Sequence, residues 1–142
     1  MNTTVYNSMK TELILGDYRF VRLLEDFTFY STILGEWCTI PRGFVFDLES
    51  VPLLRGTNPE SGGVHDYLCR IDSDPVVDKL TAAKVYFEFQ DYFDKKESGN
   101  IFNRLWDWMR RIVKTGVVML APGYFHKYKV MATYEELASV PS

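Results

Sequence analysis

Strict alternation of apolar and polar positions marks the first third of the chain, and a helical spacing replaces it beyond residue 63. Residues 12–15 (ELIL) and 18–23 (YRFVRL) are short branched or aromatic runs around Gly16-Asp17, a pair suited to a tight turn, and they predict a first hairpin. Glu25-Asp26 offers a second turn before residues 27–30 (FTFY), where a period of two sends Phe27 and Phe29 to one face and Thr28 and Tyr30 to the other. Residues 37–40 and 44–46 continue the pattern around Pro41-Arg42-Gly43. A single antiparallel sheet of about four or five strands is expected before residue 47, with about three helices packed on it.

Pro52, Gly56, Asn58, Pro59, Gly62 and Gly63 then interrupt any regular element and predict a surface loop. Residues 64–70 read as a short helix, ended by Asp72-Ser73-Asp74-Pro75, which caps the next. Over residues 76–93 the helical wheel places Val76, Leu80, Ala83 and Phe87 on one arc and Ala82, Tyr86, Phe89 and Phe93 on a flank. Thr81, Lys84, Glu88 and Asp91 form a separate polar arc. A helix apolar on two sides is expected between two neighbours. A third helix, capped by Asn100 and running from residue 101 to about 116, carries Ile101, Leu105, Trp108 and Ile112 on one stripe. Phe102, Trp106, Met109 and Val113 make the adjacent stripe. Half its circumference is apolar, which predicts deep burial of both tryptophans, with Asp107 paired to Arg110 or Arg111 on the wet side. Residues 123–130 suggest an aromatic edge strand and residues 134–138 a last helical turn. The expected fold is α+β in one domain, residues 1–142, with a β-rich part at 11–47, a helical part at 64–116 and a C-terminal extension at 117–142.

Composition narrows the functional classes. A chain of 142 residues with 46 % apolar and 15 % aromatic side chains is no disordered tail, and one domain of this size buries roughly 68–70% of its unfolded surface. The net charge of −3 argues against nucleic acid as a partner. Arg104, Arg110, Arg111 and Lys114 beside Trp106 and Trp108 are read as a solvated basic face over buried rings. Cys38 and Cys69 form no C-x-x-C or zinc-like pair and are expected reduced and buried. The N-terminus shows no secretory pattern. The longest apolar run, residues 117–121, falls far short of the ~20 residues that span a bilayer, so membrane insertion is not expected. Walker, G-x-G-x-x-G and H-E-x-x-H motifs are missing from the sequence.

Polar groups able to do chemistry gather in residues 43–70, where the chain changes character. His65-Asp66 sets an imidazole beside a carboxylate, a pair that can bind a divalent metal or act as an oriented base. It can equally be a buried histidine satisfied by the backbone, with Asp66 at the positive end of its helix. Asp47 and Ser50 can bring a second carboxylate and a hydroxyl to the same cleft, giving a hydrolytic type of cluster, or can simply tie down the turn before Val51-Pro52. Cys69 follows His65 by one helical turn, and a structural thiol is the ordinary outcome. No cofactor is expected beyond a divalent metal held by Asp47, His65 and Asp66.

The segment GFVFDLESVP followed by HDYLCR resembles the phage and prophage family called domain of unknown function thirteen fifty-three. Its members carry G-F-x-T-D-L-A-S-V-P and then H-D-x-L-Y. The likeness spans about residues 38–115 and falls on Gly43, Phe44, Asp47, Leu48, Ser50, Val51 and Pro52, then on His65, Asp66 and Leu68. Phe46, Glu49 and Cys69 depart from it, as does Lys84, which stands where the family has an Asp after Ala83. A cation there removes a ligand, which weighs against an enzyme. The resemblance implies a phage origin, a small α+β domain and no established activity. It leads to a structural or interaction protein of the virion, in the tail or at the head–tail junction. Other phage structural proteins or copies of itself would be its partners, in the virion or the host cytoplasm. The alternatives are a small metal-dependent hydrolase built on Asp47, Ser50, His65 and Asp66, and a phage inhibitor of a host protein.

Overall fold

A computed structural model of the chain describes residues 1–47, 59–97, 101–120 and 125–138. Its elements run β1 (Thr4–Val5), β2 (Thr11–Ile14), β3 (Asp17–Leu23), β4 (Phe27–Ser31), β5 (Glu36–Ile40), β6 (Val45–Asp47), α1 (Pro59–Leu68), α2 (Lys79–Glu97), α3 (Ile101–Leu120) and α4 (Tyr134–Ala138). The fold is α+β.

The strands form two three-stranded antiparallel sheets, ordered β1-β4-β5 and β2-β3-β6, instead of the single sheet expected. The division falls at the predicted turn Glu25-Asp26. There the chain leaves one sheet for the other, and Asp26 holds the crossing by accepting the Arg42 N–H at 2.8 Å through Oδ1 and the Asn7 side-chain amide at 2.8 Å through its carbonyl. The second crossing, at Arg42-Gly43, uses Gly43 with φ +90, a conformation closed to most side chains. In the first hairpin Ile14 pairs with Asp17, so the two-residue tip is Leu15-Gly16, one residue earlier than the predicted pair.

Both sheets turn their apolar positions toward one core. Phe27 and Phe29 are completely buried while Thr28 and Tyr30 are not, as the period of two requires. They meet Val21, Leu23, Ile40, Phe44 and Phe46 from the strands, Val64, Tyr67 and Leu68 from α1, and Ala82, Val85 and Phe89 from α2. A smaller cluster of Ile14, Phe20 and Val45 is covered by Tyr134, Leu137 and Ala138 of α4, with the Phe20 and Tyr134 rings edge to face at 5.4 Å. Thr133 caps α4 by accepting the Glu136 N–H at 3.2 Å.

Three expectations about the elements are corrected. Pro59, Gly62 and Gly63 lie inside α1, five residues longer at its N-terminal end than predicted: Pro59 stands at the first helical position, which needs no amide hydrogen. Gly63 is buried where the helix crosses the sheet, and a Cβ there would come within 2.9 Å of Met9 Cε and 3.2 Å of Phe46 Cζ. Next, α2 begins at Lys79, not residue 76, because Asp78 caps it: its Oδ1 accepts the Thr81 N–H at 2.8 Å, and its carbonyl accepts the Ala82 N–H at 3.0 Å. That leaves Val76 outside the helix and exposed, and Leu80 half exposed. Finally, residues 125–131 make turns and no edge strand. Their donors and acceptors go to the end of α1, with the His126 N–H on the Cys69 carbonyl at 2.7 Å and the Ile71 N–H on the Tyr128 carbonyl at 2.9 Å. Among the described residues no helix is long and apolar enough to cross a membrane.

Candidate functional site

The seam between sheet and helices is closed by the side chains that sequence reasoning singled out. Asp47 ends β6, and its backbone N–H donates to Asp66 Oδ2 on α1 at 3.2 Å. Beside it His65 is buried, its Nδ1 3.8 Å from Asp66 Oδ1 and its Nε2 3.5 Å from Cys69 Sγ. The imidazole rests edge-on against the Tyr86 ring of α2, with centroids 5.3 Å apart. The structure thus brings Asp47, His65, Asp66 and Cys69 to one place. Ser50 and Pro52 lie outside the described residues.

This arrangement joins elements. Asp66 accepts the last backbone donor of β6, which fixes where the strand ends against α1. Cys69 and His65 form the geometry of a thiol–imidazole pair, but burial, together with the nearby Asp66 charge, pushes the Cys69 thiol up to about 12. A thiol held there stays protonated at neutral pH and is no nucleophile. Burial likewise pushes Cys38 up to about 12. Among the described residues no three His, Cys, Asp or Glu side chains stand close enough to share an ion.

Arg70, which closes the HDYLCR segment, was not singled out from sequence and holds more of this seam than His65 does. It is buried, its guanidinium lies 4.8 Å from the Phe44 ring centroid, and it donates to the Val45 carbonyl at 2.9 Å and the Lys129 carbonyl at 3.1 Å. One cation therefore ties the end of α1 to β6 and to the C-terminal segment. Glu88 plays the matching part on the opposite sheet. Its carboxylate accepts the Thr32 N–H at 3.0 Å, the Ile33 N–H at 3.3 Å and the Ser31 hydroxyl at 3.1 Å, and it also takes the Thr3 hydroxyl. A charged residue one position after a buried apolar run was the only signal for either.

The outer surface of α3 departs furthest from expectation. Leu105, Trp106, Trp108, Met109, Ile112 and Val113 are 45–65 % exposed. Among the described side chains of α3 the buried one is Arg111, whose Nη2 donates to Asp91 Oδ1 of α2 at 3.2 Å, with its guanidinium 5.7 Å from the Phe87 ring centroid. Thr115, one turn on, turns its hydroxyl inward with it. Arg111 is thus joined to a second helix, and the expected burial of both tryptophans is overturned; the Asp107 side chain, expected to pair with Arg110 or Arg111, lies outside the described side chains. A polar side of α3 grips α2, and the described apolar side chains from Leu105 to Val113 face outward.

Comparison with protein families, with curated proteins and with solved structures finds no match.

Proposed function

We propose that this chain is a phage-encoded structural or interaction protein, a component of the virion at the tail or head–tail junction, which attaches through the outer face of α3. The observation that carries the reading is the inverted helix. Six large apolar side chains in register along about two turns of α3 face solvent while Arg111 is buried against Asp91. An apolar stripe of this kind marks a contact surface. Trp, Met and Arg on one face are the residue types enriched where proteins meet. The phage origin rests on the resemblance carried by Gly43, Phe44, Asp47, Leu48, Ser50, Val51, Pro52, His65, Asp66 and Leu68.

A test starts from gradient-purified particles of a phage that encodes the chain. Immunoblotting is expected to find the protein in the particle fraction, and Trp106→Glu is expected to remove it from particles without unfolding it. Recovery of the native protein only in the soluble lysate contradicts the proposal.

A further inference from the structure

Resting on that reading of α3 as a contact face, we infer that a second copy of this chain covers it, the two α3 helices packing antiparallel about a two-fold axis that passes at Met109. The exposed apolar positions among the described side chains of α3 are 105, 106, 108, 109, 112 and 113; Trp108 lies at the flank of this face on the helical wheel, and the other five read the same in both directions about 109. An antiparallel pair centred there sets Leu105 of each copy against Val113 of the other, Trp106 against Ile112, and Met109 against itself. Such self-matching is what an isologous interface requires, because one patch must serve both sides. On the helical wheel Trp106 and Arg110 share an edge of this face, so the same axis brings each Trp106 beside the exposed Arg110 of the other copy, a cation over an indole ring.

The area is also right for a pair. Six side chains of roughly 200 Å² each, about half exposed, leave on the order of 600 Å² uncovered. That stands at the top of the range for the largest patch on a lone protein, about 300–600 Å², and approaches the ~800 Å² that each partner gives to a stable interface once rim residues are added. Exposed charges at a rim contribute little across water, so apolar burial decides.

Sedimentation velocity of the full chain from 1 to 100 µM tests the inference, with two variants alongside. The native chain is expected to be a dimer in the upper part of this range, and Met109→Glu, which sets two carboxylates at the axis, to raise its dissociation constant roughly 100-fold or more while leaving the circular dichroism unchanged. Met109→Cys is expected to give a disulfide-linked dimer on mild oxidation, whereas Lys84→Cys, exposed on α2, does not. Higher salt is expected to leave the dimer as tight or tighter. A monomer at 100 µM overturns the inference, as does a dimer indifferent to Met109→Glu. A monomer that instead binds vesicles of anionic lipid and is released by salt also overturns it. Particle association with no dimer would sink this inference and leave the proposed function standing; a dimer absent from particles would do the reverse.

Discussion

Single residues decide how closely the helices approach the sheet. Gly62 and Gly63 are neighbours on α1, yet a side chain at Gly62 meets nothing within 4 Å while one at Gly63 meets Met9 and Phe46. Gly62→Ala is therefore expected to stabilise the fold by up to about 1 kcal/mol through helix propensity, and Gly63→Ala to destabilise it by about 1–2 kcal/mol through overpacking; urea denaturation of the pair separates the two effects. The thiols make a second prediction. Cys38 and Cys69 are held neutral in the fold, up to about 12 against an ordinary 9.0. A group whose folded value is raised contributes its full stability below the unfolded value and loses it as pH climbs. Stability should thus fall between pH 9 and 12, less steeply in Cys38→Ala, and both thiols should resist a thiol reagent at pH 8 until the protein unfolds. Much at this scale was legible. Period two alone put Phe27 and Phe29 inward, because a strand has only two faces. Arg70 was not legible, since its carbonyl partners at Val45 and Lys129 lie 25 and 59 residues away in sequence.

Elements are pinned to one another by a few charged groups. Glu88 gathers the β4–β5 turn and the N-terminal segment onto α2, so Glu88→Ala is expected to cost about 2 kcal/mol, with loss of hydrogen-exchange protection in β1 before the rest of its sheet. The Arg111–Asp91 pair does the same between α2 and α3. Removing Asp91 takes one carboxylate from a buried guanidinium, and Asp91→Ala is expected to destabilise the fold by roughly 2 kcal/mol, less than a fully buried pair because Asp91 is partly exposed. Replacing both by a double-mutant cycle isolates the coupling. Strands β2 to β6 and the three long helices could be read locally, since each carries its own period, whereas the two-residue β1 carries none and was missed. The division into two sheets could not, because β3 and β4 are adjacent in sequence but take partners 20 or more residues away, β6 and β1. The start of α1 was hidden by Gly62 and Gly63, which favour a loop locally; Gly63 is in α1 because the sheet comes so close.

At the scale of the whole molecule, one core serves both sheets, α1 and α2, and none of the described α3 side chains belongs to it. An amphipathic pattern reports that a face will be covered, but not by which chain. The half-apolar wheel of α3 was therefore legible as a buried surface and misassigned to this chain's own interior, where Arg111 goes instead. In the polar seam sequence adjacency succeeded, because His65, Asp66 and Cys69 lie within about one turn of one helix. What it could not supply was their role, for the backbone donor of Asp47 claims Asp66 and burial holds Cys69 neutral.

The most direct measurement is iodide quenching of tryptophan emission in Trp37→Phe, which leaves only Trp106 and Trp108 to report. On dilution from 100 µM to below 1 µM, the account predicts that the two indoles pass from shielded to accessible as the pair of chains separates. Indoles shielded equally at every concentration would place the apolar face of α3 inside a single chain and contradict it.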